Sequence, residues 1–422
     1  IAYNPATHPY FFIDTNDDGQ AQDDEAVSDN RYSTWTARLL KAAYNYQVST
    51  KDPGAYAHGN KYIVQLLYDS IEDLSGDVSA LTRDDAGHFA GNTEAFRHWD
   101  AEGGVVPAGC AKCHSASGMP QFIANGGVNV VNRGTLLTTG VVAAPASNGL
   151  ACASCHDEAN WPERYAVTQV SFPSGANLTF SEADADGNLQ PADANLCIEC
   201  HQGRESTVSV NAAINGLPAD EPNERVRFRN IHYFAAGASL FGDEAKGAYQ
   251  FDGQTYLGRF LHVQGVQTCT DCHDAHALAP IAEKCQGCHQ TDDPATIRGA
   301  SSTADYDGDG DTTEGIAGEI STLHEALYAA LQAYAADTLQ APLVYNAVAY
   351  PYFFADANGN AEIDEGEGAY ATWSPKLLQS AFNYQFVEKD PGSYVHNGKY
   401  IIQILYDSIR NVGGNVSSYT RP

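Results

Sequence analysis

The chain of 422 residues holds one methionine, few basic residues and no cysteine outside a single kind of pair. Each scarcity excludes something. Lys and Arg number 23 against 53 Asp and Glu, a formal net charge of −30. So acidic a surface repels nucleic-acid phosphates and attracts basic proteins, metal cations or a positively charged mineral. No run of eighteen or more apolar residues occurs, so no segment reads as a membrane-spanning helix. Helical periodicity is weak through the centre, which is rich in Gly, Asn, Asp and short turns. Side chains there are too few to fill a core unaided, so a bound apolar group is expected to supply it.

The ten cysteines name that group. They form five C-x-x-C pairs: Cys110/Cys113, Cys152/Cys155, Cys197/Cys200, Cys269/Cys272 and Cys285/Cys288. A histidine follows every pair: His114, His156, His201, His273 and His289. C-x-x-C-H is the attachment sequence of c-type haem. Two thiols add to the haem vinyl groups at one edge of the ring, and the adjacent imidazole reaches the iron at its centre. Zinc sites use such pairs two at a time, and five is odd. Redox disulfides of this spacing are usually single. The reading is five haems c with five proximal histidine ligands. Covalent haem attachment takes place outside the cytoplasm of bacteria and archaea. The chain begins at Ile1 rather than Met, and a removed signal peptide and an extracellular or cell-surface location are expected.

Haem iron has a second axial position. Nine histidines lie outside the motifs, more than five haems need. His276, three residues beyond His273, cannot fold back onto the same iron but can reach a haem packed alongside. His262, His232, His98 and His88 are the other distal candidates. His8, His58, His324 and His396 stay unassigned. His58 and His396 sit in a shared K-D-P-G-x-Y-x-H pattern, where capping a helix is reason enough. Met119, the lone methionine, is expected to pack in the core rather than bind iron.

The chain also repeats itself. The stretch from Pro9, "PYFFIDTNDDGQ", returns from Pro351 as "PYFFADANGNAE", and the match runs on through Trp35/Trp373, Lys51/Lys389, His58/His396 and Tyr68/Tyr406. Each copy opens with an acidic loop on the calcium pattern. Asp14, Asn16, Asp18, Gln20 and Glu25 are the ligands expected in the first, with Gly19 at the sharp turn. Asp356, Asn358, Asn360, Glu362 and Glu367 are expected in the second, with Asp364 also nearby and Ala361 at the turn. A third run supplies Asp305, Asp307, Asp309 and Asp311 but has Ile316 at position 12, so Glu314 or Glu319 must close it. After each duplicated loop comes a helix, capped by Thr36 or Ser374, with Pro375 suited to the first turn. "KDPG" breaks it and a second helix follows. "EISTLHEALYAALQAY" predicts a further helix whose buried stripe is Ile320, Leu323, Leu327, Leu331 and Tyr334.

The expected fold class is a mostly irregular and α-helical multihaem cytochrome with little β structure. A haem-stack core of loops and short helices is flanked by two calcium-loop helical hairpins. The expected domains are 1–75 for the first module, 76–300 for the pentahaem core, 301–341 for an acidic loop and helix, and 342–422 for the second module.

The five motifs, the "CHDAH" clamp, "GHFAGNTEAFRHWD" and "CIECHQGRESTVSV" resemble the multihaem c-type cytochromes of metal-reducing and related bacteria, over roughly residues 80–290. The resemblance extends to secreted members that form extracellular cytochrome filaments, or nanowires. It implies haems stacked along a homopolymer, a histidine of one subunit ligating a haem of the next, and redox proteins or an external mineral as partners. The implied function is extracellular electron transfer without catalysis. A soluble or surface-docked carrier is the alternative, then a reductase with one open iron; no C-x-x-C-K, the mark of some such enzymes, occurs. A scaffold in which haems only fill the core is a third. Bis-histidine ligation and acidic charge predict potentials mostly below zero.

Overall fold

The structure, a computed structural model, describes the chain except residues 82, 84–87, 89, 128, 184–187, 233 and 277–278. The chain forms two compact units, Ile1–Asn92 and Thr93–Pro422. The first sequence copy makes up most of the smaller unit. The second lies inside the larger one and is not a lobe of its own.

In the smaller unit a short antiparallel ladder joins β1 (Ala2–Tyr3) to β2 (Phe11–Phe12), with Ala2 opposite Phe12. The acidic loop follows. Helix α1 (Ala37–Lys51) starts where the Thr36 hydroxyl accepts the Leu39 amide at 3.1 Å, satisfying one of the donors a helix start leaves open. It stops before Asp52 and Pro53, since proline disfavours a helical residue ahead of it. Helix α2 (Asn60–Asp73) returns against α1, tied by Asn45 Nδ2 donating to Ser70 Oγ at 3.0 Å.

The larger unit holds the motifs and a protein core built around three helices: α3 (Ile316–Ala333), α4 (Pro375–Glu388) and α5 (Ser393–Asn411). The α3 stripe Ile320, Leu323, Leu327, Leu331 and Tyr334 is buried as its 3.6-residue spacing requires. It meets Leu377, Phe382, Ile401 and Leu405 in a cluster that reaches Phe172, Phe241 and Tyr249 of the motif-bearing segment. The apolar centre of this unit therefore comes in good part from side chains of the second copy, which the weak periodicity of the middle gave no sign of.

The second copy rebuilds the first bond by bond. Strands β3 (Leu343–Tyr345) and β4 (Phe353–Ala355) pair with Val344 opposite Phe354. Ser374 caps α4 through the Leu377 amide at 3.3 Å. Asn383 donates to Ser408 at 2.9 Å. Helix α5 is interrupted at Asn397 (φ −167°, ψ 66°), the counterpart of Gly59 (φ 175°, ψ 59°) ahead of α2. Other described strands form four more two-stranded antiparallel ladders.

Candidate haem-binding site

Three motifs end helices: Ala108–His114, Ala194–His201 and Glu283–His289. Residues three and four apart share a helix face, so both thiols and the imidazole leave from one side. Cys269–Cys272 forms a single helical turn, capped where Thr268 and Asp271 exchange bonds, and Cys152–Ser154 a 3₁₀ turn. Motif neighbours are visible in the thiols. A hydrogen bond with Cys200 brings Cys113 down to about 7 and pushes Cys200 well up. One with Cys197 likewise raises Cys269. The first motif thus touches the third, and the third touches the fourth.

None of the ten cysteines is joined to another in a disulfide. They do not share one environment. Cys110, Cys113, Cys155, Cys197, Cys200, Cys269, Cys272 and Cys285 are half-buried, whereas Cys152 and Cys288 are exposed. For Cys288 the reason is its helix. Glu283–His289 buries none of its residues, so the fifth motif lies on the protein's surface and the third, with five buried residues in its helix, lies inside.

The residues between the cysteines hold two of these helices together. Lys112 donates to Glu199 at 2.8 Å and to Asn129 at 3.1 Å, and Asn129 Nδ2 donates to Glu199 at 2.8 Å; all three are buried. A buried pair so hydrogen-bonded fixes the register of the first and third motifs. Sequence reading passed over Lys112 and Glu199 because the x positions of a motif carry no rule.

The histidines decide how the motifs couple. A metal–imidazole bond is about 2.0–2.1 Å and the ring centre lies ~1.1 Å further, so two imidazoles across one metal stand roughly 6 Å apart. Four motif histidines meet another histidine at this spacing. His114 lies 5.8 Å from His232, His156 6.2 Å from His276, His289 6.0 Å from His262 and His273 6.5 Å from His396. His201 holds its ring by Nδ1, 2.8 Å from the Phe234 carbonyl, with Phe234's ring 6.3 Å away.

Second contacts choose the free nitrogen. Nδ1 of His114 bonds the Ala95 carbonyl at 2.9 Å, and that of His156 the Pro162 carbonyl at 2.8 Å. His396 Nδ1 bonds buried Asp390 at 2.8 Å. Each bond orients the ring and leaves Nε2 for iron, the usual arrangement for a metal-binding histidine. Burial keeps His114, His201 and His232 neutral, His232 at about 4 with the charge of His114 adding to it. Neutral imidazole is the form that binds metal. For His396 burial acts downward too, but Asp390 outweighs it and raises the group. The residues present fit haem.

Of the sequence candidates, His276, His262 and His232 are brought to motif histidines. His98 bonds Glu94 at 2.7 Å and touches Trp99, which in turn touches His114. His88 lies half-buried ahead of the first motif. His396, left unassigned from sequence, stands opposite His273 at 6.5 Å; an aspartate six residues ahead was its available signal. His324 is turned the other way. Its Nε2 bonds the Tyr384 carbonyl at 3.0 Å and its ring stacks on Tyr384 at 4.1 Å, so it belongs to the core. Met119 is buried against Phe122 and Leu196.

The three acidic loops share one wiring. The first aspartate accepts the amide five residues on: Gly19 to Asp14 at 2.8 Å, Gly310 to Asp305 at 2.9 Å and Ala361 to Asp356 at 3.0 Å. A late glutamate accepts the amide after that aspartate. Glu25 takes Thr15 at 2.7 Å and Glu367 takes Ala357 at 2.6 Å. In the third loop Glu319 fills this place, taking Tyr306 at 2.8 Å. The remaining oxygens of Asn16, Asp18, Asn358 and Asn360 turn inward onto loop amides in the same pattern. In the third loop, ligand atoms of Asp305, Asp307 and Glu319, and of Asp307, Asp309 and Glu314, lie within 4.8 Å of one another. Oδ2 of buried Asp307 and Oε1 of Glu314 have no hydrogen-bond partner. Burial and then the surrounding carboxylates, led by Asp307, lift Glu314 to about 7.

No family model matches the chain, and no solved structure matches it. Among curated proteins it is similar to the C-type polyheme cytochrome OmcB of Geobacter sulfurreducens, at 28% identity over 364 residues, covering 74% of this chain and 44% of that protein. OmcC of the same organism, also a C-type polyheme cytochrome, is 26% identical over 412 residues, covering 85% of this chain and 50% of its own length. The chain spans about half the length of the curated relatives it matches. Together with the repeated attachment motifs, this homology supports a multihaem c-type cytochrome.

Proposed function

We propose that the chain carries five bis-histidine haems c and passes electrons along them outside the cell, assembled as a filament of identical subunits. The observation that carries this reading is the set of four histidine pairs at 5.8–6.5 Å, three of them joining a motif to a histidine far away in sequence. Haem supplies the one-electron chemistry. The chain's part would be to hold the His114, His156 and His201 rings by their Nδ1 bonds, to offer the haems paired histidines and to bring neighbouring motifs into contact. A haem held by two histidines would offer no open site to substrate, which favours electron carriage over catalysis. An acidic surface suits a basic redox protein or a cationic mineral as acceptor.

The acidic loops are read as structural calcium sites. Asp305, Asp307, Asp309, Asp311, Glu314 and Glu319 offer a third site its oxygens, and the unpartnered buried oxygen of Asp307 supports this. Electron microscopy of the native holoprotein with calcium retained tests assembly. Long uniform filaments support the wire; discrete particles leave a soluble or surface-docked carrier.

A further inference from the structure

The stretch "CIECHQGRES" runs on past the third motif, and the fold accounts for each residue after His201 except one. Gln202 is buried, and its side-chain amide donates to the Glu199 carbonyl at 2.9 Å. Gly203 turns the chain at φ 79°, a conformation glycine enters freely. Glu205 accepts the Thr135 hydroxyl at 3.0 Å and stands 3.8 Å from Arg229. Ser206 opens the helix Thr207–Ile214 and donates to the Gly134 carbonyl at 3.2 Å. Arg204 is the exception. Its backbone is pinned on both sides, its amide to the Ile231 carbonyl at 3.0 Å and its carbonyl to the Leu136 amide at 2.9 Å. Its side chain is half-buried, yet among the described residues its guanidinium makes no hydrogen bond and no ion pair. Other half-buried arginines of this unit are satisfied: Arg97 by the Ser147 carbonyl at 2.8 Å, Arg259 by Glu244 at 3.0 Å, Arg298 by Glu319 at 2.6 Å and Arg421 by Asp407 at 2.9 Å. A charge drawn out of water is costly unless it is paired, and a chain with 53 carboxylates sets none against this one.

The surroundings of Arg204 belong to the first motif. Ile231, to which it is bonded, precedes His232, and His232 lies 5.8 Å from His114. Burial comes first in holding His114 and His232 down, and the charge of Arg204 acts on both in the same direction. It also follows the Cys200 hydrogen bond in lowering Cys113. We infer that Arg204 is a carboxylate-binding residue of the haem site formed by His114 and His232, taking a haem propionate and placing a fixed positive charge beside that haem. The inference rests on the haem reading above. Haem carries two carboxylates, and a planar guanidinium pairs with a carboxylate through two parallel N–H bonds. A cation near iron favours the reduced form, and hydrogen bonding around the ring is one of the levers by which a protein sets haem potential.

The test compares wild type, Arg204→Leu and Arg204→Lys as purified holoproteins, by haem quantification, spectroelectrochemistry and resonance Raman spectroscopy. Arg204→Leu is expected to keep the wild-type haem content, to lower the potential of one haem and to shift a propionate bending band. Arg204→Lys keeps the charge on a different head group, so it should recover most of the potential while the band stays shifted. Haem-loaded Arg204→Leu with wild-type potentials and an unmoved propionate band overturns the inference. An equal fall in potential in both variants overturns it too, since that marks a packing role. If Arg204→Leu takes up no haem, Arg204→Lys decides: a shifted band supports the inference and an unmoved band overturns it. Wild type that carries no haem instead sinks the haem reading itself.

Discussion

The two copies of the module reach the same local structure under opposite conditions. Residue for residue they keep the helix cap, the Asn–Ser tie between helices, the Asp–His pair and an Arg–Asp bridge, Arg83 to Asp69 at 2.7 Å and Arg421 to Asp407 at 3.1 Å. Lys51 and Lys389 even stand at the same 4.4 Å over Tyr10 and Tyr352. Yet α4 and α5 are largely buried, while the described residues of α1 and α2 are exposed or half-buried apart from Ala42 and Ala43. The difference teaches that the module's shape comes from its own short-range bonds, and that burial is added by whatever it docks on.

Substitutions at equivalent positions should therefore diverge. The largest gap is expected at the packed face: Phe382→Ala removes a fully buried ring and should cost about 3–5 kcal/mol in denaturant unfolding. Tyr44→Ala, its exposed counterpart, should stay within about 0.5 kcal/mol in single chains. Equal losses at the two sites would mean that the first copy is also packed in solution.

The bridges should diverge less. Asp407 is buried and accepts from Arg421 and from Tyr256 at 2.8 Å. Asp407→Asn should cost about 2 kcal/mol, as charged hydrogen bonds do when lost from the interior. Asp69→Asn breaks a half-exposed pair and should cost under about 1 kcal/mol.

The third loop extends the comparison to pH. Glu314 is raised to about 7, so between the ordinary carboxylate value and that point the folded chain holds a proton the unfolded chain has released. Without calcium, stability should fall as pH rises from about 4.5 to about 7. Glu314→Gln should flatten that slope in a melting series, and calcium should reverse it by replacing the proton. A calcium-independent slope would count against the site.

The smallest effect is expected at the turn of the duplicated loops. Ala361 takes φ 62° where the first copy has Gly19 at φ 77°. The left-handed region costs an L-residue about 1–2 kcal/mol, so Ala361→Gly should be neutral to stabilising by about 1 kcal/mol and Gly19→Ala destabilising by a like amount. Thermal melts of calcium-loaded protein would measure both.

Much of the fold was legible without coordinates because its signals are local. Thr36, Ser374 and Pro375 mark helix starts, and the five-residue stripe marks the buried side of α3. The five attachment motifs were legible too, but not that Cys288 would stand exposed while Cys200 packs against another motif, since the two share one pattern in the string. The histidine pairings were legible only in part. His324 and His396 look alike in a one-dimensional string. They part only through which ring nitrogen the fold ties down, Nε2 to Tyr384 in one and Nδ1 to Asp390 in the other. Glu319 closes the third loop from three positions past the usual place, because a helix start rather than a loop spacing carries it.

By itself the sequence determined what each residue could bond to nearby: thiols and imidazole within one helical turn, carboxylates within one loop, caps within one step of a helix. Only tertiary structure decided which distant histidine faces which motif, which copy of the module is covered, and that Lys112 meets Glu199 across two motifs. Bonds that close within a few residues need no partner beyond the string that encodes them. Pairings between distant segments depend on how the whole chain packs, and sequence spacing does not carry that information.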